Sequence, residues 1–456
     1  MNKRIIFLAG ILIFISSYVQ AADDLLQSVG IYSPELTQAQ VDPLRLTPAK
    51  AEEIDTLLSG TLTLEDCIRI ALAHSPQVIN AQLGVQEAHV NLNLARSEFL
   101  PTVTAGASQG YTVSTPQGAS TSDHGDSSVQ AQAQLSISGV TDKWRAVQIQ
   151  SLQVEQAQLT LTNQTNLVAR NVKKAYYALL SAQRAVDIRT KSRDLYQEQY
   201  DRSAEYYKQG LRPKMDVTTA EVNLNNEKLR LIRAQNQVKS ASAGLANALG
   251  ITTSRQLELA DVDTLEKVDI SFDEAVQTAY ENRPDILSAK TNAQIGQMRV
   301  NQAKAGYLPT LSFSAGFRKY DDSFRLDNEE GRLMVSLEIP IFNAFKTYNG
   351  VKQARLNLEK INNSNRSLLN DVFLEVQNAY ISMQEAAESI PIAALNVEKA
   401  QENLGLAQGR YNEGIGDIIE LKDAEVAYTD AELSLLTARY DYAAAVADLK
   451  QAMGTN

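Results

Sequence analysis

A stretch of the chain, Tyr207-Lys-Gln-Gly-Leu-Arg-Pro-Lys-Met-Asp-Val-Thr-Thr-Ala-Glu-Val222, returns 204 positions later as Tyr411-Asn-Glu-Gly-Ile-Gly-Asp-Ile-Ile-Glu-Leu-Lys-Asp-Ala-Glu-Val426. Each copy interrupts a long helical pattern with a glycine, Gly210 or Gly414, and then starts a second helix. A chain that reverses direction at matching points in two halves is a duplicated helical hairpin. The duplication extends well beyond the turns. Residues 62–76 resemble residues 270–284, with Thr63 and Ser271 where a helix N-cap belongs and acidic residues in the turn that follows. The intervals Pro76 to Pro101 and Pro284 to Pro309 are both 25 residues, and each turn glycine precedes its terminal glycine (Gly250, Gly454) by 40. Chance similarity does not keep two such intervals.

Past Pro101 and Pro309 the period changes from helical to two. Residues 129–138 alternate without a fault, and 311–318 and 333–339 nearly so, while 102–114 is a weaker candidate. Polar loops are expected at 115–128 and 319–330. Segments of about ten residues with one apolar and one polar face suit a membrane barrel, whose outside meets lipid and whose inside meets water. The same alternation also fits a half-buried hairpin in a soluble protein. No apolar run after the first 21 residues approaches the roughly 20 residues of a membrane helix, so entry into a membrane requires strands.

The first 21 residues read as a cleaved signal peptide: Lys3 and Arg4, an apolar run from Ile5 to Ile15, then Val19-Gln-Ala21. The chain is therefore expected to be exported. Residues 22–60 hold Pro34, Pro43 and Pro48 and read as an irregular arm. The formal charge of −11 becomes −13 without Lys3 and Arg4, which disfavours nucleic acid as a partner. The single cysteine, Cys67, provides neither a disulfide framework nor a lipid anchor.

Residues 143–207 contain neither proline nor glycine, and at ~1.5 Å per residue they make about 100 Å of helix. A second helix runs from about 215 to 248. The other half repeats this over 347–410 and 418–452, with Pro391 expected to kink the longer member. The expected plan is thus a first repeat over 61–250, an acidic linker over 251–268 and a second repeat over 269–454. Each repeat holds a β-hairpin (102–138, 310–341) and a long helical hairpin. The apolar stripes are narrow (Leu152, Leu159, Leu161), and Gln and Asn fill many other positions, so the helices pack side by side with one face to water. That water is either a lumen or bulk solvent. Four strands cannot close a barrel in lipid, so other copies of the chain must cover their edges.

With this order of parts, Leu308-Pro-Thr-Leu311 before a strand, Ile339-Pro-Ile-Phe-Asn343 after one, Ala175-Tyr176 and Ala379-Tyr380 on the long helices, and Tyr-x-x-Gly at both turns, the chain resembles the TolC family of outer-membrane efflux and secretion channels. The resemblance covers essentially everything after the signal peptide. It implies a mainly α protein with a small β membrane part: a homotrimeric channel-tunnel, with a 12-stranded β-barrel in the outer membrane on a 12-helix α-barrel crossing the periplasm of a Gram-negative bacterium. It also implies a periplasmic adaptor (membrane fusion) protein and an inner-membrane RND or ABC transporter as partners, with outer-membrane lipid around the barrel.

The residues show no catalytic constellation, no phosphate-binding glycine loop and no ligand-like spacing among His74, His89, His124 and Cys67, so neither an enzyme nor a cofactor or metal site is expected. Asp123-His124-Gly-Asp126 reads as a solvated loop with some capacity for a divalent ion. What the turns offer is charge. Glu420 and Asp423, three apart at a helix start, share a face, and Asp216 matches Glu420 in the first repeat. These are either helix-start carboxylates favoured by the dipole or, as the resemblance implies, rings of acid at a periplasmic constriction that favour cations. The family often has a basic residue two positions after the second turn glycine; here that position is Gly416, and Arg212 and Lys214 stand in the first turn instead. The expectation is a closed-state latch in which Arg212 or Lys214 pairs with Asp417, Glu420 or Asp423 of a neighbouring hairpin, with Tyr411 packing nearby. Trp144, with Tyr111, Phe342 and Phe345, either anchors at the membrane interface or packs where strand gives way to helix.

Two classes of function fit: an outer-membrane export duct for drugs, metal ions or secreted protein, gated at the helix tips, or a periplasmic coiled-coil adaptor or tether. Only the first needs two strand hairpins at matching places in a duplication.

Overall fold

The computed structural model describes residues 60–100, 102–114, 122–138, 140–253, 257–261, 266–320 and 328–455. The expected signal peptide, nearly all of the arm, Pro101 and parts of the linker lie outside them. The elements all fall in the unit Thr61–Asn456. In chain order they are α1 (Leu64–His74), α2 (Pro76–Ser97), β1 (Thr102–Ser114), β2 (Ser122–Ser138), α3 (Val140–Lys208) and α4 (Lys214–Ala248), then α5 (Phe272–Asn282), α6 (Pro284–Ala305), β3 (Thr310–Tyr320), β4 (Asn328–Glu338), α7 (Lys346–Asn412) and α8 (Ile418–Ala452). The second six repeat the first six.

The repeats begin with the same local chemistry. The Thr63 hydroxyl accepts from the Asp66 amide at 3.2 Å while the Thr63 amide donates to the Asp66 carboxylate at 3.4 Å. Ser271 and Glu274 make the same exchange at 3.3 and 3.0 Å. This reciprocal cap satisfies amides that the first turn of a helix leaves open. Pro76 and Pro284 then open α2 and α6, where a missing amide proton costs nothing. Pro391 lies inside α7, which stays helical through it; the ring removes one backbone donor, and the packed turns on either side carry the helix across.

The strands form one antiparallel sheet in the order β1-β2-β3-β4. The central pair joins the two repeats, with Ser138 opposite Ser312. The hairpins extend further than apolar alternation suggests: Ser114 pairs with Ser122, and Tyr320 with Asn328. Residues 122–128, 319–320 and 328–330, expected in loops, are therefore strand. Backbone ladders need no apolar face to continue. Leu333, Val335 and Leu337 on β4 share one face and are exposed.

Below the sheet α3 pairs with α4, α7 pairs with α8, and α8 packs on α3, so the four run side by side as α4–α3–α8–α7. α2 and α6 lie along α3 and α7. The core of the second repeat is a run of small and medium residues, including Ala279, Val376, Val446 and Leu449, of which each larger aliphatic contributes about 1.5–3 kcal/mol on burial. Polar ties fix the ends. Buried Tyr176 places its hydroxyl 2.6 Å from the Ala260 carbonyl, and Leu62 exchanges backbone bonds of 2.9 Å with Glu258 and Ala260. Buried Arg283 donates to Glu375 at 2.8 Å, to the Ala452 carbonyl at 3.0 Å and to Asp285 at 2.7 Å, holding the start of α6 against α7 and the end of α8. Among the described residues, no helix is long and apolar enough to cross a membrane.

Candidate functional site

The two turns at the end of the long hairpins close in the same way. Gly210 and Gly414 adopt φ of +74° and +76°, a left-handed conformation that costs glycine nothing. Leu211 donates to the Tyr206 carbonyl at 2.9 Å and Ile415 to the Arg410 carbonyl at 3.0 Å, which satisfies carbonyls left open by the last turn of α3 and α7.

Beyond that point the turns differ. In the second, the Gly416 amide also donates to the Arg410 carbonyl, at 2.9 Å. A Cβ at Gly416 would stand 2.9 Å from the Tyr411 nitrogen and 3.0 Å from the Arg410 carbonyl carbon. The turn is folded too tightly on α7 for any side chain there, which accounts for glycine where a basic residue is common in the family resembled. A basic group of the first turn lies beside it. The Arg212 guanidinium lies 5.4 Å from the centre of the Tyr411 ring and 3.9 Å from the Asp216 carboxylate. Tyr411 is buried, its hydroxyl 3.4 Å from the Ser203 hydroxyl on α3. Beside that pair, Arg202 donates to the Asn412 side chain at 2.8 Å.

The carboxylates fall into two groups. Asp216 is only 7% exposed. Its twin Glu420 is exposed and 3.2 Å from the Arg410 Nε, and Asp423 is exposed with only its neighbour Lys422 at 3.3 Å. Asp417 occupies the N-cap of α8 without a side-chain cap bond. The fold therefore brings together Arg212, Asp216 and Tyr411, and leaves Lys214, Asp417, Glu420 and Asp423 facing outward. Within one chain neither Arg212 nor Lys214 reaches Asp417, Glu420 or Asp423.

Several contributors carried no signal in the sequence. Glu425 repeats Glu221, yet Glu425 is buried and Glu221 exposed, because α8 is enclosed between α3 and α7 while α4 is an edge helix. Gln199, Ser203 and Arg202 sit in an unremarkable polar stretch of α3, and nothing in its pattern says which face meets α7.

At the other end, Pro309 is exposed just before β3. Phe342 and Phe345 meet edge to face with centres 5.7 Å apart, both exposed, and Trp144 is exposed near the start of α3. Phe345, at the N-cap of α7, has φ +62° and Ala344 +53°, so the strand-to-helix junction holds two side-chain-bearing residues in the left-handed region. The side chains of Tyr111, Asp123, His124 and Asp126 are outside the described set. Among the described residues, no cluster of His, Cys, Asp or Glu has the form of a metal site.

Known proteins align with both repeats. The family described as outer membrane efflux protein matches residues 67–251 and 275–455. Outer membrane protein TolC of Escherichia coli (strain K12) is 24% identical over 422 residues, which cover 87% of this chain and 83% of TolC. Alkaline protease secretion protein AprF of Pseudomonas aeruginosa is 23% identical over 290 residues, 61% of this chain and 60% of AprF. The Campylobacter jejuni CmeC outer membrane channel has the same fold, with a TM-score of 0.76 over 86% of this chain and 85% of that one, at 18% identity.

Proposed function

The chain belongs to the outer membrane efflux protein family, and from that premise we propose that three copies assemble into a passive conduit from the periplasm through the outer membrane. The observation that carries this reading is a pair of unfinished edges lying on the same two sides. β1 and β4 end the sheet, and α4 and α7 end the row of helices below it. Both edge helices expose apolar side chains: Val222, Leu229 and Ile232 on α4, and Leu374, Leu395 and Leu406 on α7. A head-to-tail contact joining β4 to β1 and α7 to α4 of the next copy covers all of them but Leu374, which stands above the end of α4, and repeated around an axis it closes. Three copies make twelve strands and twelve long helices. Twelve strands leave room for an aqueous lumen.

The turns form the inner mouth. Threefold repetition sets Glu420 and Asp423 in two rings of carboxylates, which favour cations and repel anions. Asp216 serves this mouth indirectly, by anchoring Arg212 against Tyr411. Lys214 and Asp417, outward on neighbouring hairpins, complete the latch between copies. Exposed pairs contribute ~0–1 kcal/mol each, weak enough for a partner pressing on the tips to open them. That partner is a periplasmic adaptor coupled to an RND or ABC transporter, which supplies energy and cargo. AprF's secretion role and the family's efflux description support protein and small-molecule cargo alike.

The test is biochemical and electrical. Protein extracted from outer membranes should run as a trimer that heating converts to monomer, and should give discrete conductance steps in planar bilayers. A monomer that never inserts would overturn the reading.

A further inference from the structure

Between α3, α7 and α8, about two helical turns inside the mouth, lies a cavity of about 200 Å³ lined by Glu198, Gln199, Arg202, Tyr411 and Glu425. Two of these side chains are buried without the partners burial demands. Glu425 is 4% exposed and its Oε2 has no hydrogen bond. Gln199 is 5% exposed, and neither its amide nitrogen nor its amide oxygen has one. Three orphaned polar atoms at the edge of one cavity are unusual, since buried polar groups are nearly always paired.

Among the described residues, no cation compensates the carboxyl from any side. On α3, Arg202 is committed to Glu198 and to Asn412, and Glu198 adds negative charge. Tyr196, also on α3, is buried, and its phenol is pushed up first by that burial and then by Glu425 and Glu227. On α4, Glu227 is held by Arg189 and Arg230. On α7 the facing group is the Tyr411 hydroxyl, engaged with Ser203. Asp430, further along α8, lies 3.9 Å from Arg189.

We propose that Glu425, with Gln199, forms a proton-binding site that keeps α3, α7 and α8 packed at the mouth while its carboxyl is neutral and loosens them when it ionises. A neutral acid tolerates this burial; a bare carboxylate does not. At ~30 Å³ of liquid volume per molecule, the cavity has room for a few waters to follow the charge. They would solvate Glu425 and the Gln199 amide at the expense of the contacts around Tyr411. Burial alone lifts the Glu425 carboxyl from 4.5 to about 7. The sign follows: the packed state binds the proton more tightly than the opened one, so packing is fully supported below about 4.5, weakens as pH rises, and levels off above about 7.

The site can be tested without reference to conduction. Hydrogen exchange of the intact protein in detergent is followed from pH 5 to 8.5, corrected for the intrinsic pH dependence of amide exchange. Peptides spanning 195–203 and 408–425 in the native protein should lose about 10–100-fold in protection across this range, while peptides around Arg283 hold steady. Glu425→Gln, which mimics the neutral acid, should abolish the step and keep the low-pH protection. Glu221→Gln, the exposed twin, should leave the step intact. A native protein whose tip peptides show no step, or a step that persists in Glu425→Gln, overturns the proposal. The first outcome needs no variant to fold.

Discussion

Arg212 lies over the ring of Tyr411, 5.4 Å from its centre, so the first turn is clasped to the second within a single chain. The contact joins residues 199 positions apart and adds to the α3–α8 packing and the Ser203–Tyr411 and Arg202–Asn412 contacts that hold the two hairpins together. Arg212 also shields Asp216. Removing the guanidinium exposes one cost and forfeits another: a cation–π contact of ~0.5–1 kcal/mol at a partly exposed site, and the pairing of a buried carboxylate, ~1–3 kcal/mol for an unsatisfied polar group. The double variant Arg212→Ala, Lys214→Ala should therefore open at least about tenfold more readily in planar bilayers, every 1.4 kcal/mol being a factor of ten. Conductance and open probability equal to the native channel's would remove both residues from the latch.

The two outward carboxylates make a separate expectation. Glu420 and Asp423 are exposed, so in the proposed conduit their charge acts on passing ions rather than on the fold. Glu420→Gln with Asp423→Asn should shift the reversal potential in a salt gradient toward zero while leaving thermal stability within about 0.5 kcal/mol, as is usual for surface changes. Asp216→Asn should behave in the opposite way, altering stability more than selectivity, because Asp216 is buried against Arg212. Unaltered reversal potentials in the double variant would count against rings of acid at the mouth.

Gly416 offers a test of the departure from the family's habit. Installing the usual basic residue, Gly416→Arg, forces a Cβ to within 2.9 Å of the Tyr411 backbone. Overpacking of this kind costs typically 1–3 kcal/mol, and here the turn must unfold from Arg410 to relieve it. The variant should show faster exchange at residues 408–417 and a leakier mouth, rather than a stronger latch. Exchange rates equal to the native protein's would mean that the turn opens without cost.

These asymmetries mark the boundary of what the sequence made legible. The duplication, the hairpin turns and the period-two segments follow from spacing, because a glycine in a left-handed turn or a switch of period is written locally. The roles of Asp216 and Glu420, or of Glu221 and Glu425, are not. Each pair has matching sequence neighbours, and only the order α4–α3–α8–α7 decides that α8 is enclosed while α4 is at the edge. The length of the hairpins was hidden for a different reason. Residues 122–128 carry polar side chains that signal a loop, but backbone pairing with β1 continues through them.

That same helix order allows the ring to be tested directly. Ile232 lies 18 residues into α4 from its start at the tip, and Leu395 lies 17 residues before the end of α7; at ~1.5 Å per residue the two stand at nearly the same height. Each is about half exposed, 52% and 53%, and within one chain they belong to opposite edges, separated by α3 and α8. If α7 of one copy packs on α4 of the next, Ile232→Cys with Leu395→Cys should cross-link only between copies under mild oxidation. The native Cys67 will not compete, since it is fully buried and burial pushes its thiol up to about 12, far from the thiolate form that exchange requires. The expected product is a ladder of dimer and covalently closed trimer on a denaturing gel, with neither single variant cross-linking. A product confined to monomers would place the two helices side by side in one chain and overturn the row on which the conduit is built. Cross-linking that runs on to species larger than a trimer would show that the contact repeats without closing at three.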